Sequence, residues 1–324
     1  QTKESFTYNS LNPSLGVSHQ LNSAVNLFGN LGQSNRVPTV IELGCADPTV
    51  GCLLPTGLQS DPYLKQIIAR TAEAGIRWKH TDDSGISVAA YRSENRDDIL
   101  FRSLGAGTQL GYFSNFSRTR RQGIDVSAYS TIGQITLQAG YSYLNATYQA
   151  EDVLFGGERE ITVKPGTKIA GLPAHTLKLN ADWRASPKFT IGGSIITTSS
   201  IVTQGNEDGL IGDGTTSTAV NAKVNGYTVL HMHANYEAEK GLDFFARVNN
   251  VLNTRFETYG MMGMSAFDSA GTTNLGLTGD ATINRFVAPG APLRQQSRKT
   301  ARAVTGVFFK ATRTLLREMA RVSR

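Results

Sequence analysis

Long hydrophobic runs are missing from this 324-residue chain. Nothing approaches the about 18 consecutive apolar residues that a membrane-spanning helix needs, so no helical span is available. Mean hydropathy is negative, and a hydropathy plot alone would read the chain as soluble. No Gly-x-Ser-x-Gly elbow, phosphate loop or metalloprotease helix motif occurs. Carboxylates such as Asp82, Asp83, Asp97 and Asp98 sit where turns ordinarily use Asp for backbone reasons. Nothing points to an enzyme or to an intrinsic cofactor. A charged n-region followed by an apolar core is also lacking at the N-terminus, so the expectation is that a signal peptide has been removed or that the chain begins mid-protein.

An excess of positive charge is missing outside one end. The formal net charge is +6, yet residues 294–324 alone hold nine Lys or Arg against one Glu, which leaves the body slightly acidic. The high pI describes the tail, and specific nucleic-acid recognition is not expected. Cysteine is limited to Cys45 and Cys52, in a loop rich in Gly, Asp and Pro after a strand. A loop disulfide in an oxidising exterior is one reading; a metal pair is the other, although two sulfurs without a nearby His do not complete a tetrahedral site.

What the chain has in quantity is alternation. In residues 175–184, Leu177, Leu179, Ala181 and Trp183 share one face, and Lys178, Asn180, Asp182 and Arg184 the other. In 135–143, Ile135, Leu137, Ala139, Tyr141 and Tyr143 alternate with Thr136, Gln138, Gly140 and Ser142, and the tyrosines suit an interfacial girdle. Ala72, Ala74, Ile76 and Trp78 oppose Thr71, Glu73, Arg77 and Lys79; Leu242, Phe244, Ala246 and Val248 oppose Asp243, Arg247 and Asn249. These runs are about twice the common strand length in globular proteins. Strands of about 9–11 tilted residues are what a bilayer requires. Short turns at 81–85, 131–134, 185–188 and 239–241 alternate with long polar stretches at 102–115, 149–173, 204–225 and 254–293. In outer-membrane barrels the short turns are periplasmic and the long loops extracellular. The expected fold class is therefore all-β: an antiparallel transmembrane β-barrel with charges entering a wet lumen. A soluble β protein would instead need the Leu177, Leu179 and Trp183 face packed in a core.

The same residues carry a family resemblance. Arg36, Pro38, Thr39, Glu42 and Leu43, then Glu73 and Gly75, resemble the Arg-x-Pro-Thr-x-x-Glu-Leu and Glu-x-Gly stretches of TonB-dependent outer-membrane receptors. Downstream, "AAYRSENRDDILF" from Ala89, "NFSRTRRQGIDVSAY" from Asn115, "RVNNVLNTRFETYG" from Arg247 and "RFVAPGAP" from Arg285 follow in that family's order. The resemblance implies a barrel of about 22 strands with a plugged lumen. It also implies uptake of a bulky, scarce nutrient, most often a ferric siderophore, powered by the inner-membrane TonB complex. By its alternating runs this chain supplies roughly 11 or 12 strands, without a plug or a TonB-contacting segment. It resembles the C-terminal half of such a receptor, in the outer membrane of a Gram-negative bacterium, with outer-membrane lipid and the barrel-assembly machinery as further partners. A half barrel leaves two strand edges unpaired in hydrocarbon and is not expected to transport by itself. A passive porin-like channel or a non-functional half-barrel fragment is the alternative.

The barrel is expected over residues 1–310, with "AVTGVFFK" from Ala303 as a last strand and Phe308 or Phe309 as its aromatic end. A basic amphipathic helical tail follows at 311–324, where Arg313, Arg317 and Arg321 recur on one face while Leu315, Leu316, Met319 and Val322 gather elsewhere. It reads either as an anionic membrane-surface anchor or as an altered end with no selected role. If genuine, it impairs recognition by the assembly machinery. Arg118, Arg120 and Arg121, placed where a long loop re-enters the barrel, are candidates for steering an anionic ferric chelate. Tyr112, Phe113 and Phe116 are candidates for contacting a flat aromatic ligand, with interfacial anchoring as the default. His231 and His233 share a face with Asn235 and Glu237, where lumen hydrogen bonding is the usual role and an edge-on metal pair the alternative.

Overall fold

The computed structural model describes residues 5–48, 63–103, 111–155, 160–212, 217–239, 242–264 and 283–290. Strands form wherever the period-two runs lie. They are β1 (Ser14–Gln20), β2 (Val25–Arg36), β3 (Ile67–Thr81), β4 (Ser84–Ser103), β5 (Gly111–Ile132) and β6 (Ile135–Tyr148). The hairpin β7 (Asp152–Phe155) and β8 (Glu160–Val163) precedes β9 (His175–Ser186) and β10 (Phe189–Thr198). Short strands β11 (Ile201–Val202), β12 (Leu210–Gly212), β13 (Ser217–Ala219) and β14 (Lys223–Val224) lead to β15 (Tyr227–Glu239), β16 (Leu242–Val248), β17 (Glu257–Met264) and β18 (Ile283–Pro289). The one described helix, α1 (Val40–Leu43), is a single turn.

Ten strands join one antiparallel sheet in the order β1-β2-β3-β4-β5-β6-β9-β10-β15-β16. Consecutive long strands are neighbours throughout, the up-and-down arrangement that tight turns allow. Asp82 and Asp83, Gly133 and Gln134, and Pro187 and Lys188 make the expected turns, with Gly133 at φ 59 in the left-handed region. Residues 240 and 241 lie outside the described residues.

All four long connections differ from expectation; residues 204–225 contain β12 and β13, which pair with each other, and β14, which pairs with β11. Residues 102–103 and 111–115 belong to strands, since β4 and β5 stay paired as far as Ser103↔Gly111; residues 104–110 lie outside the described residues. Residues 149–173 contain the β7–β8 hairpin, and 254–293 contain β17 and β18, which pair with each other outside the ten-stranded sheet. The physical reason lies in strand length. At 20 and 22 residues, β4 and β5 are about twice what tilted strands need to cross hydrocarbon, so half of each length is free of the demand for apolar outward residues, and polar sequence is no obstacle to a ladder there.

Register unites the alternating faces. Ile76 pairs with Val88, Ala74 with Ala90, Val88 with Val126 and Ile124 with Tyr143. Across the next seam Ile135 pairs with Trp183, Ala139 with Leu179 and Tyr141 with Leu177. One face of the sheet is thus continuously apolar and faces outward, with Trp78 and Trp183 each 46% exposed. No second layer covers it among the described residues, which is not how a soluble sandwich treats its apolar face. The tyrosine row reaches β9, where Tyr141 Oη lies 2.8 Å from His175 Nδ1.

Buried side chains gather at the long-connection end. Phe116, Tyr148, Leu154, Ile161 and Val163 form one cluster, in which the Phe116 and Tyr148 rings meet edge-on at 5.3 Å. This seats the β7–β8 hairpin on β5 and β6, and Arg102 forks onto both oxygens of Asp152 to pin it. Ala46, Leu64, Ile67 and Ile99 form a second cluster with Leu43 and Phe113 beside it.

Close approach explains one glycine in particular. A Cβ at Gly75 would stand 2.5 Å from both the Phe28 ring and the Val88 carbonyl oxygen, whereas one at Gly140 would meet nothing within 4 Å. Gly75→Ala is expected to cost on the order of 1–3 kcal/mol, and Gly140→Ala to stay within about 0.5 kcal/mol. Urea unfolding of the two variants in lipid vesicles checks this; equal midpoints would contradict the Phe28 contact.

Candidate functional site

The face opposite the apolar one is built from the other half of each period. Glu73 and Arg77 of β3, Ser87 of β4, Asp125 of β5 and Lys178 of β9 line a shallow groove of about 360 Å³ together with Phe28 of β2. Arg77 places its guanidinium 4.0 Å above the Phe28 ring, a cation–π contact that orients a charge without neutralising it. Further along, His233 Nε2 lies 2.8 Å from Asp182 Oδ1 across the sheet. Gly192 is the residue between them in register, Asp182↔Gly192↔His233, and its missing side chain leaves the space in which that pair meets. His231 Nδ1 lies 3.2 Å from Asn249 Oδ1. The two histidines therefore have separate polar neighbours, and among the described residues no group of three or more His, Cys, Asp or Glu is arranged to hold a metal.

The residues singled out from sequence separate into different places. Arg118 and Arg120 share a face with Ile124 and Val126, so they project from the outer surface of the sheet rather than into the lumen. Arg120 pairs with Glu94 at 2.8 Å, and Arg118 Nη2 donates to the Gln149 carbonyl at 3.4 Å. Arg121 is on the inner face, 3.7 Å from Asp98. Tyr112 lies on β5, directly opposite Arg102. Phe113 is occupied twice over: its ring meets Phe101 at 5.0 Å, and its N–H donates to the Cys45 carbonyl at 2.6 Å. Phe116 is wholly buried. Cys45 is buried, and no described cysteine is a free thiol; Cys52 lies outside the described residues, as do Phe308, Phe309 and the tail at 311–324. The groove around Arg77 was not foreseen as a site. Its members were legible as lumen-facing charges, but which of them become neighbours depends on register across six strands.

Several of the sequence motifs have structural explanations. Thr39 caps α1 in a capping box: its backbone N–H donates to Glu42 Oε2 at 2.7 Å, while the Glu42 N–H donates to Thr39 Oγ1 at 3.3 Å. Arg36 closes the unit with two parallel bonds to the Glu42 carboxylate, at 2.8 and 2.9 Å. In "AAYRSENRDDILF" and "RQGID", Tyr91 pairs in register with Gly123, whose absent side chain makes room for the Tyr91 hydroxyl. In "NNVLN", Asn250 and Asn253 adopt φ of 53 and 50. Buried Asn250 closes that turn with both ends of its amide, each 2.9 Å from the Thr254 backbone.

Partial burial pushes the Glu42 carboxyl up, but its hydrogen bonds with Arg36 and Thr39 outweigh this and hold it below the ordinary glutamate value. A carboxyl lowered by folding contributes stability above its unfolded pKa, and that stability is lost as pH falls through the lower folded value. Acid is therefore expected to loosen α1. Glu42→Gln is expected to speed amide exchange at Leu43 and Gly44 about fivefold near neutral pH and to flatten its rise in acid, which hydrogen-exchange mass spectrometry reads directly.

Comparison with known proteins agrees with this architecture. A family model described as "TonB dependent receptor-like, beta-barrel" matches residues 1–251. No curated protein matches the chain by sequence. Among solved structures, the siderophore receptor PiuA from Acinetobacter baumannii is similar at TM-score 0.58 and 14% identity, over 86% of this chain and 34% of that one. The ferric-catecholate import receptor Fiu from E. coli K12 is similar at 0.55 and 18%, over 86% and 33%. The copper transporter OprC is similar at 0.56 and 14%, over 84% and 36%. The chain thus spans about a third of the length of the structures it resembles, and at these identities the likeness is one of fold. With a sheet that is apolar outside and charged inside, and a family model covering most of its length, the chain belongs to the TonB-dependent receptor-like β-barrel family.

Proposed function

We propose that these residues form part of the barrel wall of an outer-membrane receptor that takes up a bulky nutrient, a ferric siderophore being the leading class. The observation that carries this reading is the two-faced ten-stranded sheet, whose terminal strands β1 and β16 each have one neighbour among the described residues. A backbone edge left open in hydrocarbon costs several kcal/mol per unsatisfied group, so the wall calls for further strands to close it. Those strands, and a plug contacted by the TonB complex, would come from residues beyond this sequence. Siderophore receptors recur among the similar structures, but a copper transporter stands with them. The siderophore assignment is accordingly a proposal about ligand class, not about one compound.

In this reading the chain sits in the outer membrane of a Gram-negative bacterium, placed there by the barrel-assembly machinery. Residues 1–310 belong to the barrel and 311–324 to a basic tail. The long-connection end faces outward, and its inner surface, not Arg118 or Arg120, meets the ligand. The inner groove holds Arg77 and Lys178 beside Glu73 and Asp125, and its two cations would be the groups that meet an anionic chelate. A Cys45–Cys52 disulfide would tie the loop after α1 on the oxidising side.

The open edges also favour a second reading, a passive or non-functional half barrel. Uptake of radiolabelled ferric siderophores by iron-starved cells separates the two. Loss of uptake on deleting the gene, and again on removing TonB, is the expected result; uptake indifferent to TonB would leave the passive reading. Arg77→Gln is expected to lower uptake about two- to tenfold at limiting substrate through loss of steering.

A further inference from the structure

We propose that the part of the β4–β5 ladder beyond Asp97 is a hinged arm. It couples two long connections, the one that follows β2 and the β7–β8 hairpin, so that both shift as one body against the barrel wall. Its bearing on uptake rests on the receptor reading above; the coupling itself does not.

Pairing places the hinge. Below it, β4 and β5 are held on both flanks: β3 pairs with β4 as far as Ile68↔Arg96, and β6 pairs with β5 as far as Thr119↔Tyr148. Asp97 and Ser117 are the facing pair that the β4–β5 ladder skips, and Asp97 has a φ of 52, in the left-handed region, which breaks the even pleat of a strand. Beyond this point the pairs from Asp98↔Phe116 to Ser103↔Gly111 continue as two strands, with no third strand laddered to them among the described residues. A two-stranded ribbon is marginal by itself in water. This one therefore depends on what packs against it.

Both buried clusters are mounted on that ribbon. Ile99 belongs to the cluster with Ala46, Leu64 and Ile67, and Phe113 packs beside it. Phe116 belongs to the cluster with Tyr148, Leu154, Ile161 and Val163, and Leu100 packs beside that one. Polar contacts repeat the pattern: the Phe113 N–H donates to the Cys45 carbonyl at 2.6 Å, and Arg102 Nη1 donates to Asp152 Oδ1 at 2.8 Å. Neighbouring residues of one short ribbon thus serve two connections that do not pair with each other among the described residues.

The base of the arm carries its own clamp. The Asn115 side-chain amide accepts from the Lys65 N–H at 2.8 Å and donates to the Lys65 and Asp97 carbonyls at 3.0 and 2.9 Å. One side chain thereby ties the skipped position to the segment entering β3. Buried Asp98, the first residue of the arm, accepts from the Thr119 hydroxyl at 2.5 Å and lies 3.7 Å from Arg121. With fixed points at its base and packed clusters above, the ribbon acts as a lever: displacement of one connection passes through Ile99 and Leu100 to the other. A ligand that draws in one connection brings the second with it.

The test reads amide exchange by mass spectrometry in the complete receptor, purified and returned to lipid vesicles. Residues 98–103 and 111–116, the α1 turn and the β7–β8 hairpin are expected to open at a common rate, at least about tenfold faster than residues 84–96 and 118–132. Ile161→Ala, in the hairpin cluster, is expected to speed exchange at Gly44 and Ala46 about threefold, and Leu64→Ala, in the other cluster, to do the same at Leu154 and Val163. Asn115→Ala is expected to speed all three segments together about fivefold. Asp97→Asn tolerates the left-handed φ and keeps the wild-type rates, whereas Asp97→Val raises them. Heat-dependent gel mobility confirms that each variant is a folded barrel. Effects confined to the cluster that carries the substitution, unequal acceleration by Asn115→Ala, or opening of residues 84–96 and 118–132 along with the arm would overturn the proposal. Any of these leaves the receptor reading standing, while uptake indifferent to TonB strikes that reading and leaves the coupling, which exchange reports without any ligand.

Discussion

Every peptide group that enters hydrocarbon must find its hydrogen-bond partner inside the protein, because lipid offers none. That requirement organises the rest of this molecule. It favours ladders that run unbroken over many residues, as between β5 and β6. Period-two alternation then sorts side chains between two faces, so Trp78 and Trp183 stand on the apolar face while Arg77 and Asp182 stand on the charged one. The same requirement makes β1 and β16 open questions of energy, since each has one free side in the described sheet.

With backbone pairing satisfied by neighbours, side chains are left to set spacing and shape. Gly75 lets Phe28 lie across β3, and Gly123 accommodates the Tyr91 hydroxyl. Gly192 opens the space in which Asp182 and His233 pair. These are local fits that a methyl group would disturb. The capping box of Thr39 and Glu42 and the asparagine-closed turn at Asn250 do comparable work where the chain leaves a strand. Family-specific motifs here reflect geometry of the wall more than chemistry of a ligand.

The upper parts of β4 and β5 obey a different physics. Beyond the belt the ladder continues in water, free of the rule that outward residues be apolar, and arginines take the outward positions that alanine and isoleucine hold lower down. The inner side of the same region gains what the sheet elsewhere lacks, a small packed core, by folding the β7–β8 hairpin onto Phe116 and Tyr148. Extended strands and seated hairpins together give the long-connection end a built surface on both sides.

Alternation with period two and turns such as that at Gly133 are local properties, and from them the sequence by itself determined the fold class, most strand positions and the face each side chain would take. The ordered motifs added the family. Strand ends above the membrane were not legible, because a polar stretch such as 102–115 reads alike as loop or as ladder in water, and only the pairing of Ser103 with Gly111 decides between them. The faces of two candidate residues were not legible for the same reason. Arg118 and Arg120 carry the right charge for an anionic ligand, but whether they face lumen or lipid depends on register with Arg96 and Glu94, fixed by contacts about 20 residues away along the chain. Tertiary structure alone brought Phe28, Arg77, Asp125 and Lys178 to one groove, because neighbourhood across six strands is a property of the paired ladder and not of any segment within it.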